Sequence, residues 1–386
     1  MIPLVKDTID KKDIDNLIEW LKTYPHLTKG KLTIEYENKW ANWLGVKHSV
    51  FVNSGSSANL LMLYSLVATG KIKLGDKVVV PTVSWSTDLA PVVQLGLEPI
   101  LCDCNMYDLS IDIQQFKNII KEHKPKVLLL VSVLGLVPQM DELIDICNSN
   151  DIILLEDACE SLGSKFKDQK IGSFGLMSSF STYFGHHIST IEGGMVCTND
   201  TEIYNVLKSI RSHGWDRDLD PECMNYLRSQ YQVSDFEALY KFYYFGFNVR
   251  STDLQAFLGL GQLEKLDSIV TARQQNYLRY TKNIKSSYWK SPESTNDKYI
   301  SNFAYPVIHP DRNKIIQNLT EEGIAVRPLI CGSLEKQPFW DNGGQVNLIN
   351  GDIVDKYGLY LPNSHQLEND EIDKICDIIN KRVSRK

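Results

Sequence analysis

The residues able to do chemistry fall in a few short stretches. Ser54-Gly55-Ser56-Ser57 follows an apolar run, Ser49-Val50-Phe51-Val52-Asn53, and opens an apolar helix that reaches about Ala68. A strand, a Gly/Ser turn and a helix can cradle a phosphate. The helix start offers unpaired N–H groups, Gly55 permits close backbone approach, and the hydroxyls of Ser56 and Ser57 add donors. The same residues would also suit an ordinary serine cap. Glu156-Asp157 puts a carboxylate just past the apolar run Leu154-Leu155, with Glu160 three residues on. Further along, Ser181-Thr182-Tyr183-Phe184-Gly185-His186-His187-Ile188 leads into Glu192-Gly193-Gly194. An imidazole with an ordinary pKa of about 6.5 can take and return a proton at neutral pH, which makes His186 a candidate acid–base group. His213-Gly214-Trp215-Asp216-Arg217 combines a histidine, an arginine and an aromatic ring, a set suited to anionic ligands, though charged loop residues are often merely solvated. Gly246-Phe247-Asn248-Val249-Arg250 adds a second arginine before a long helix running to about Ile284.

The elements that must position these groups alternate. Strands are expected at Lys77 to Pro81, Glu98 to Cys104, Val127 to Val133 and Asp151 to Asp157. The helices between them are Ser86 to Leu95, Ile111 to His123 and Met140 to Asn148. Runs such as Val127-Leu128-Leu129-Leu130-Val131 are apolar throughout, as in a mostly parallel sheet covered by helices on both faces. In such sheets ligands sit at the carboxyl ends of the strands. Amphipathic helices at about Asp7 to Tyr24 and Glu35 to Leu44 precede the first strand. A polar stretch from Ser286 to Asp297 marks a boundary. Beyond it come a strand at Tyr299 to Val307, a helix at Asp311 to Glu322, strands at Ile324 to Arg327 and Leu359 to Leu361, and a helix at Asp370 to Arg382. The expected division is therefore residues 1–285, with the N-terminal helices, the large α/β unit and the long connecting helix, and residues 286–386, a small α/β unit.

Composition excludes some classes. The 386 residues carry a formal net charge of −7, so there is no basic footprint for nucleic acid. No stretch approaches the about 20 apolar residues that span a bilayer, and a cytoplasmic protein is expected. The eight cysteines form no Cys-x-x-Cys pair, which fits buried reduced thiols rather than a metal site.

Together these pieces resemble sugar aminotransferases of the DegT/DnrJ/EryC1/StrS family, fold-type I enzymes of the aspartate-aminotransferase kind that use pyridoxal 5'-phosphate (PLP). The resemblance spans nearly the whole chain. It rests on Asn53–Asn59, Pro81–Thr87 with Trp85, Glu156-Asp157, Ser181, Glu192-Gly193-Gly194 and Gly246-x-Asn248-x-Arg250. It implies PLP phosphate at Gly55, Ser56, Ser57 and Ser181. Trp85 would lie flat on the ring, Asp157 beside the pyridine nitrogen and Glu160 near the ring oxygen. It also implies a homodimer with shared active sites, in which Asn248 and Arg250 reach the neighbouring subunit's cofactor or substrate.

One departure matters most. The family carries its cofactor-binding lysine where this chain has His186, and the next lysine is Lys208. Imidazole cannot replace a primary amine as a tether. The cofactor would then be held without a covalent bond and could act as pyridoxamine 5'-phosphate (PMP). His-His-Ile and His-Gly-Trp-x-Arg loops like those here occur in the family's sugar 3-dehydratases. The expected activity is removal of the C3 hydroxyl of a nucleotide-linked 4-keto-6-deoxyhexose, GDP-linked foremost, in dideoxysugar synthesis for O-antigen. L-glutamate would be the amino donor, His186 the proton carrier, and His213, Arg217 and Arg250 substrate contacts. A related branch needs an iron–sulfur cluster and a reductase partner. A cluster takes about four thiolates, and only Cys223 lies between Cys197 and Cys331, so neither is expected. The alternatives are an aminotransferase, which the missing lysine opposes, and a noncatalytic binding protein.

Overall fold

The computed structural model describes residues 1–286, 288–340 and 348–383. Residue 287 and residues 341–347 and 384–386 lie outside that description, including those within the expected 286–386 unit. Seven strands form the main sheet: β1 His48–Val52, β2 Lys77–Pro81, β3 Glu98–Cys102, β4 Val127–Val131, β5 Ile153–Asp157, β6 Met177–Ser181 and β7 Gly194–Thr198. Their order across the sheet is β1-β7-β6-β5-β4-β2-β3. Only β7 runs against the rest, being antiparallel to both β1 and β6. The strand interiors are apolar because both faces are covered. Val127 and Leu129 enter one core with Val78, Val80 and Leu155, while Leu128 and Leu130 enter the other with Val79 and Leu154. Each such side chain contributes roughly 1.5–3 kcal/mol relative to exposure.

The helices start where local chemistry allows. Ser54 caps Gly55–Ala68 by accepting the Ser57 N–H. Thr252 and Gln255 form a capping box at the long helix Asp253–Asn283. The first helix, Lys11–Leu21, begins later than the apolar spacing suggests, because Asp10 and Asp13 form a capping box there. Helix Pro221–Gln230 was not foreseen from sequence.

The expected strand from Tyr299 to Val307 is two strands. Lys298–Tyr299 pairs with Lys165–Phe166, whose other neighbour is Gln169–Lys170. Tyr305–Ile308 (β8) joins a small sheet with Arg327–Pro328 (β9) and Gly358–Leu361 (β10), in the order β8-β10-β9. The break falls at Ser301 and Asn302, both buried. Ser301 N donates to Ser164 Oγ (2.9 Å) and Asn302 Nδ2 to the Leu134 carbonyl (2.7 Å), so neither belongs to a ladder. The expected strand at Ile324 is an isolated bridge to Ile2, and pairing resumes only at Arg327.

Candidate active site

Because β1, β2, β5 and β6 share a direction, their carboxyl ends meet at one edge of the sheet. After β1 come Ser54–Ser57. The Ser57 N–H is taken by Ser54 Oγ and the Ala58 N–H by the Ser54 carbonyl. That leaves the Gly55 and Ser56 N–H groups at the positive end of a 14-residue helix with no acceptor among the described residues. Ser56 Oγ lies 3.0 Å from Thr87 Oγ1, and Ser57 Oγ accepts from Ser54 Oγ at 3.1 Å, so Ser57 is partly committed to the cap. Glycine is needed nearby for close approach. A Cβ on Gly194 would lie 2.2 Å from the Ser54 carbonyl oxygen, and one on Gly55 would lie 2.9 Å from the Ser181 Cβ. Gly194 thus lets the strand pass directly beneath the phosphate-type turn. Ser181 ends β6, is 8% exposed and accepts the Tyr183 N–H (3.3 Å).

Asp157, the last residue of β5, is 6% exposed. Its Oδ1 accepts the Cys159 N–H (2.8 Å) and its Oδ2 accepts from Asn59 Nδ2 (2.6 Å). The same Asn59 amide donates to Asp88 Oδ1 (2.8 Å), and its carbonyl accepts from Ser179 Oγ (2.5 Å). Asp88 Oδ2 accepts the N–H of Trp85, whose indole is 55% exposed. Burial, then the charge of Asp157, holds Asp88 well above the usual carboxylate range. Burial also lifts Glu160 to about 8, although Glu160 Oε2 accepts the Leu134 N–H (2.7 Å). Asn59 and Asp88 were given no role in the sequence reading. The signal for Asn59 was a lone amide inside the apolar run Ala58-Asn59-Leu60-Leu61, four residues after Gly55.

His186 stands in the loop after β6, its N–H bonded to the Tyr183 carbonyl (2.9 Å) and its ring 5.2 Å from that of Phe303. Its Nδ1 is buried with no partner among the described residues. Burial lowers its pKa to about 4, with the Asp157 carboxylate and then the Cys159 backbone pulling the other way. The imidazole is therefore neutral at pH 7, rather than poised near 6.5 as the sequence alone suggested. His187 points away and is buried, its Nε2 against the Ser301 carbonyl (3.1 Å) and hydroxyl (3.0 Å). Lys208 is not in reserve: it is bound to Asp220 (2.7 Å) and lies over the Tyr204 ring.

His213, Arg217, Asn248 and Arg250 form a second group. Arg217 Cζ lies 4.1 Å from the centre of the Trp215 ring and Arg250 Cζ 5.4 Å from it, while the His213 ring meets Trp215 edge-on at 5.0 Å. Arg250 Nε donates to Asn248 Oδ1 (3.0 Å). The Asn53 N–H donates to the Val249 carbonyl (3.0 Å), and Val52 bridges to Arg250, so this group adjoins the strand that feeds the Gly55 turn.

PLP fits the first group. Free N–H groups at a helix start suit its phosphate. An exposed indole suits its ring. Asp157 is buried with no ion pair to any described residue, which suits a protonated ring nitrogen beside it. Fold and site together define an aspartate-aminotransferase-like PLP enzyme with a histidine in the lysine position. The DegT/DnrJ/EryC1/StrS aminotransferase family matches residues 7–380, and the chain belongs to that family. It is 36% identical over 390 residues to the GDP-4-keto-6-deoxy-D-mannose 3-dehydratase of Yersinia pseudotuberculosis, covering 98% of each chain. A crystal structure of GDP-4-keto-6-deoxymannose-3-dehydratase with a trapped PLP–glutamate geminal diamine is 34% identical, with a TM-score of 0.90 over 98% of this chain and 100% of that one. A histidine-to-asparagine mutant of an enzyme of that name, with bound GDP-perosamine, is 32% identical, with a TM-score of 0.87 over 98% and 100%.

Proposed function

We propose that this chain is a PLP/PMP-dependent 3-dehydratase that removes the C3 hydroxyl of a GDP-linked 4-keto-6-deoxymannose, with L-glutamate as amino donor. One observation carries the reading. The Gly55 turn, Trp85 and Asp157 gather at one sheet edge, and the position of the family's lysine holds His186, which supports this reading. When bound, the cofactor supplies an amine for the sugar ketone and a ring that accepts electrons. The Gly55 and Ser56 N–H groups bind its phosphate, with Ser181 beside them. Asp157, braced by Asn59 and the Cys159 N–H, keeps the ring nitrogen protonated. Trp85, fixed by Asp88, covers one face. Glu160 keeps its proton at neutral pH and donates to the ring oxygen. His186, buried in the loop after β6, would carry the proton. Burial disfavours the imidazolium that results, so it readily returns the proton to the departing C3 hydroxyl. His213, Arg217 and Arg250 bind the anionic diphosphate. The enzyme acts as a homodimer with Asn248 and Arg250 at the shared site, its chain divided into a large unit of residues 1–285 and a small unit of residues 286–386. A nucleotide-sugar substrate and free thiols at all eight cysteines fit the cytoplasm.

Mass spectrometry after incubation with GDP-4-keto-6-deoxymannose, L-glutamate and PLP tests this. The expected product is lighter than the substrate by one oxygen atom, with ammonia and 2-oxoglutarate formed in equal amounts. An amino sugar without free ammonia makes the chain an aminotransferase, and no reaction at all leaves a binding protein.

A further inference from the structure

The long helix Asp253–Asn283 carries a buried cation that the proposed chemistry does not use. Arg273 is 2% exposed, and its guanidinium meets no carboxylate among the described residues. It donates instead to main-chain carbonyls: Nη1 to Phe303 (2.8 Å) and Asn363 (2.7 Å), and Nη2 to His186 (3.4 Å). Asn363 answers, its Nδ2 donating to the Arg273 carbonyl (3.2 Å) and to that of Asn302 (2.8 Å). On the same helix face Asn276 holds the Ser364 carbonyl (3.0 Å) and Tyr280 the Pro362 carbonyl (2.9 Å). The helix therefore grips the segment after β10 through three successive carbonyls. Arg273 alone of these three side chains also extends to the His186 loop. Phe303, whose carbonyl it holds, is the residue whose ring packs on the His186 imidazole.

A fully buried guanidinium is costly, and a neutral donor would satisfy a carbonyl more cheaply. Burial already lowers Arg273 to about 10. We propose that Arg273 is a positioning residue for proton transfer: it clamps the His186 loop by its backbone carbonyl and holds a positive charge within that loop's surroundings. The inference rests on the role given to His186 above. The charged groups facing that ring oppose one another. Asp157, at the end of β5, favours the imidazolium, and Arg273, from the long helix, opposes it. Arg273 opposes protonation of His187 and His365 as well. The clamp fixes where the ring sits, and the charge adds to the burial that already keeps the imidazole neutral.

Arg273→Gln and Arg273→Lys separate the two effects. Glutamine keeps a donor and loses the charge; lysine keeps the charge and loses the planar fork. NMR titration of the His186 ring in the cofactor-free protein reads the charge whether or not the dehydratase assignment stands. In Arg273→Gln the His186 pKa is expected to rise by about one unit, and in Arg273→Lys to stay at the wild-type value. A shift absent in Gln, or equal in Gln and Lys, overturns the role of the charge. Steady-state rates read the clamp. In Arg273→Lys, kcat is expected to fall on the order of tenfold with KM for the nucleotide sugar unchanged, as for a group out of register. An unchanged kcat overturns the clamp. If the Gln protein does not fold, Lys decides alone: a wild-type His186 titration with lowered kcat supports the proposal, and a displaced titration defeats it.

Discussion

His186 shows how one residue type is made suitable by its surroundings. Its folded-state pKa of about 4 lies below the ordinary value of about 6.5, so the unfolded chain takes up that proton first as the pH falls. The stability contributed by burying the neutral ring is therefore complete above about pH 6.5 and is lost as pH falls through about 4. Replacing His186 by Asn removes this titration while leaving the other groups in place. The difference in urea midpoint between the two cofactor-free proteins is expected to be constant above pH 7 and to shrink toward pH 4; a flat difference over that range would falsify the low pKa. In the full reaction, His186→Asn is expected to retain PLP binding and to lose dehydration by about 100-fold to 10,000-fold, the usual weight of a general acid–base group. Unchanged turnover would remove His186 from the proton path.

At the scale of elements, the site is built from hydrogen bonds between a helix and strand ends. Asn59 is the joint, since its amide serves Asp88 and Asp157 at once. Asn59→Leu leaves two buried carboxyl groups short of a donor. It is expected to cost about 3 kcal/mol, the range for stranded buried polar groups, measurable by denaturant unfolding, and to weaken PLP binding because Asp157 loses its brace. Gly194→Ala tests the opposite fault, overpacking. Its Cβ would meet main-chain atoms of Ser54 and Gly55, with no flexible side chain to yield. A loss of about 1–3 kcal/mol is expected, with PLP phosphate bound less tightly than in Gly194-intact controls altered elsewhere on β7.

What was readable in advance follows from the same distinction. The apolar runs of β2, β4 and the first part of β5 announce themselves, since two-sided burial favours apolar side chains. The expected positions of Gly55, Trp85, Asp157 and Ser181 follow once those strands are placed in parallel. The Asn59–Asp88 pair was not readable, because helical spacing does not reveal which polar side chain turns inward to meet a carboxylate far along the chain. The split between Lys298–Tyr299 and β8 was hidden for a similar reason. Ser301 and Asn302 look like ordinary strand residues until their bonds to Ser164 and Leu134 are seen. The neutral state of His186 was also hidden, since it depends on the burial that the folded chain imposes.

Over the whole molecule, two surfaces meet at the sheet edge: the enclosed cofactor group and the Trp215 cluster with its arginines. The second lies beside an exposed aromatic stretch. Phe236 is 82% exposed, Tyr240 79% and Phe245 92%, and Arg217 lies over the Tyr240 ring as well as over Trp215. Contiguous apolar surface of this kind marks an interaction site, and aromatic residues with arginine are what protein interfaces concentrate. In the proposed dimer a second copy of the chain docks on this aromatic stretch. Sedimentation at micromolar concentration is expected to give a dimer. The double substitution Phe236→Asp, Phe245→Asp is expected to give a folded monomer with an unchanged circular dichroism spectrum. Loss of dehydratase activity in that monomer, restored by mixing with a His186→Asn dimer that supplies intact Phe236 and Phe245, would mean that each site draws on both subunits. A fully active monomer would place the whole site within one chain and leave the aromatic stretch to some other partner.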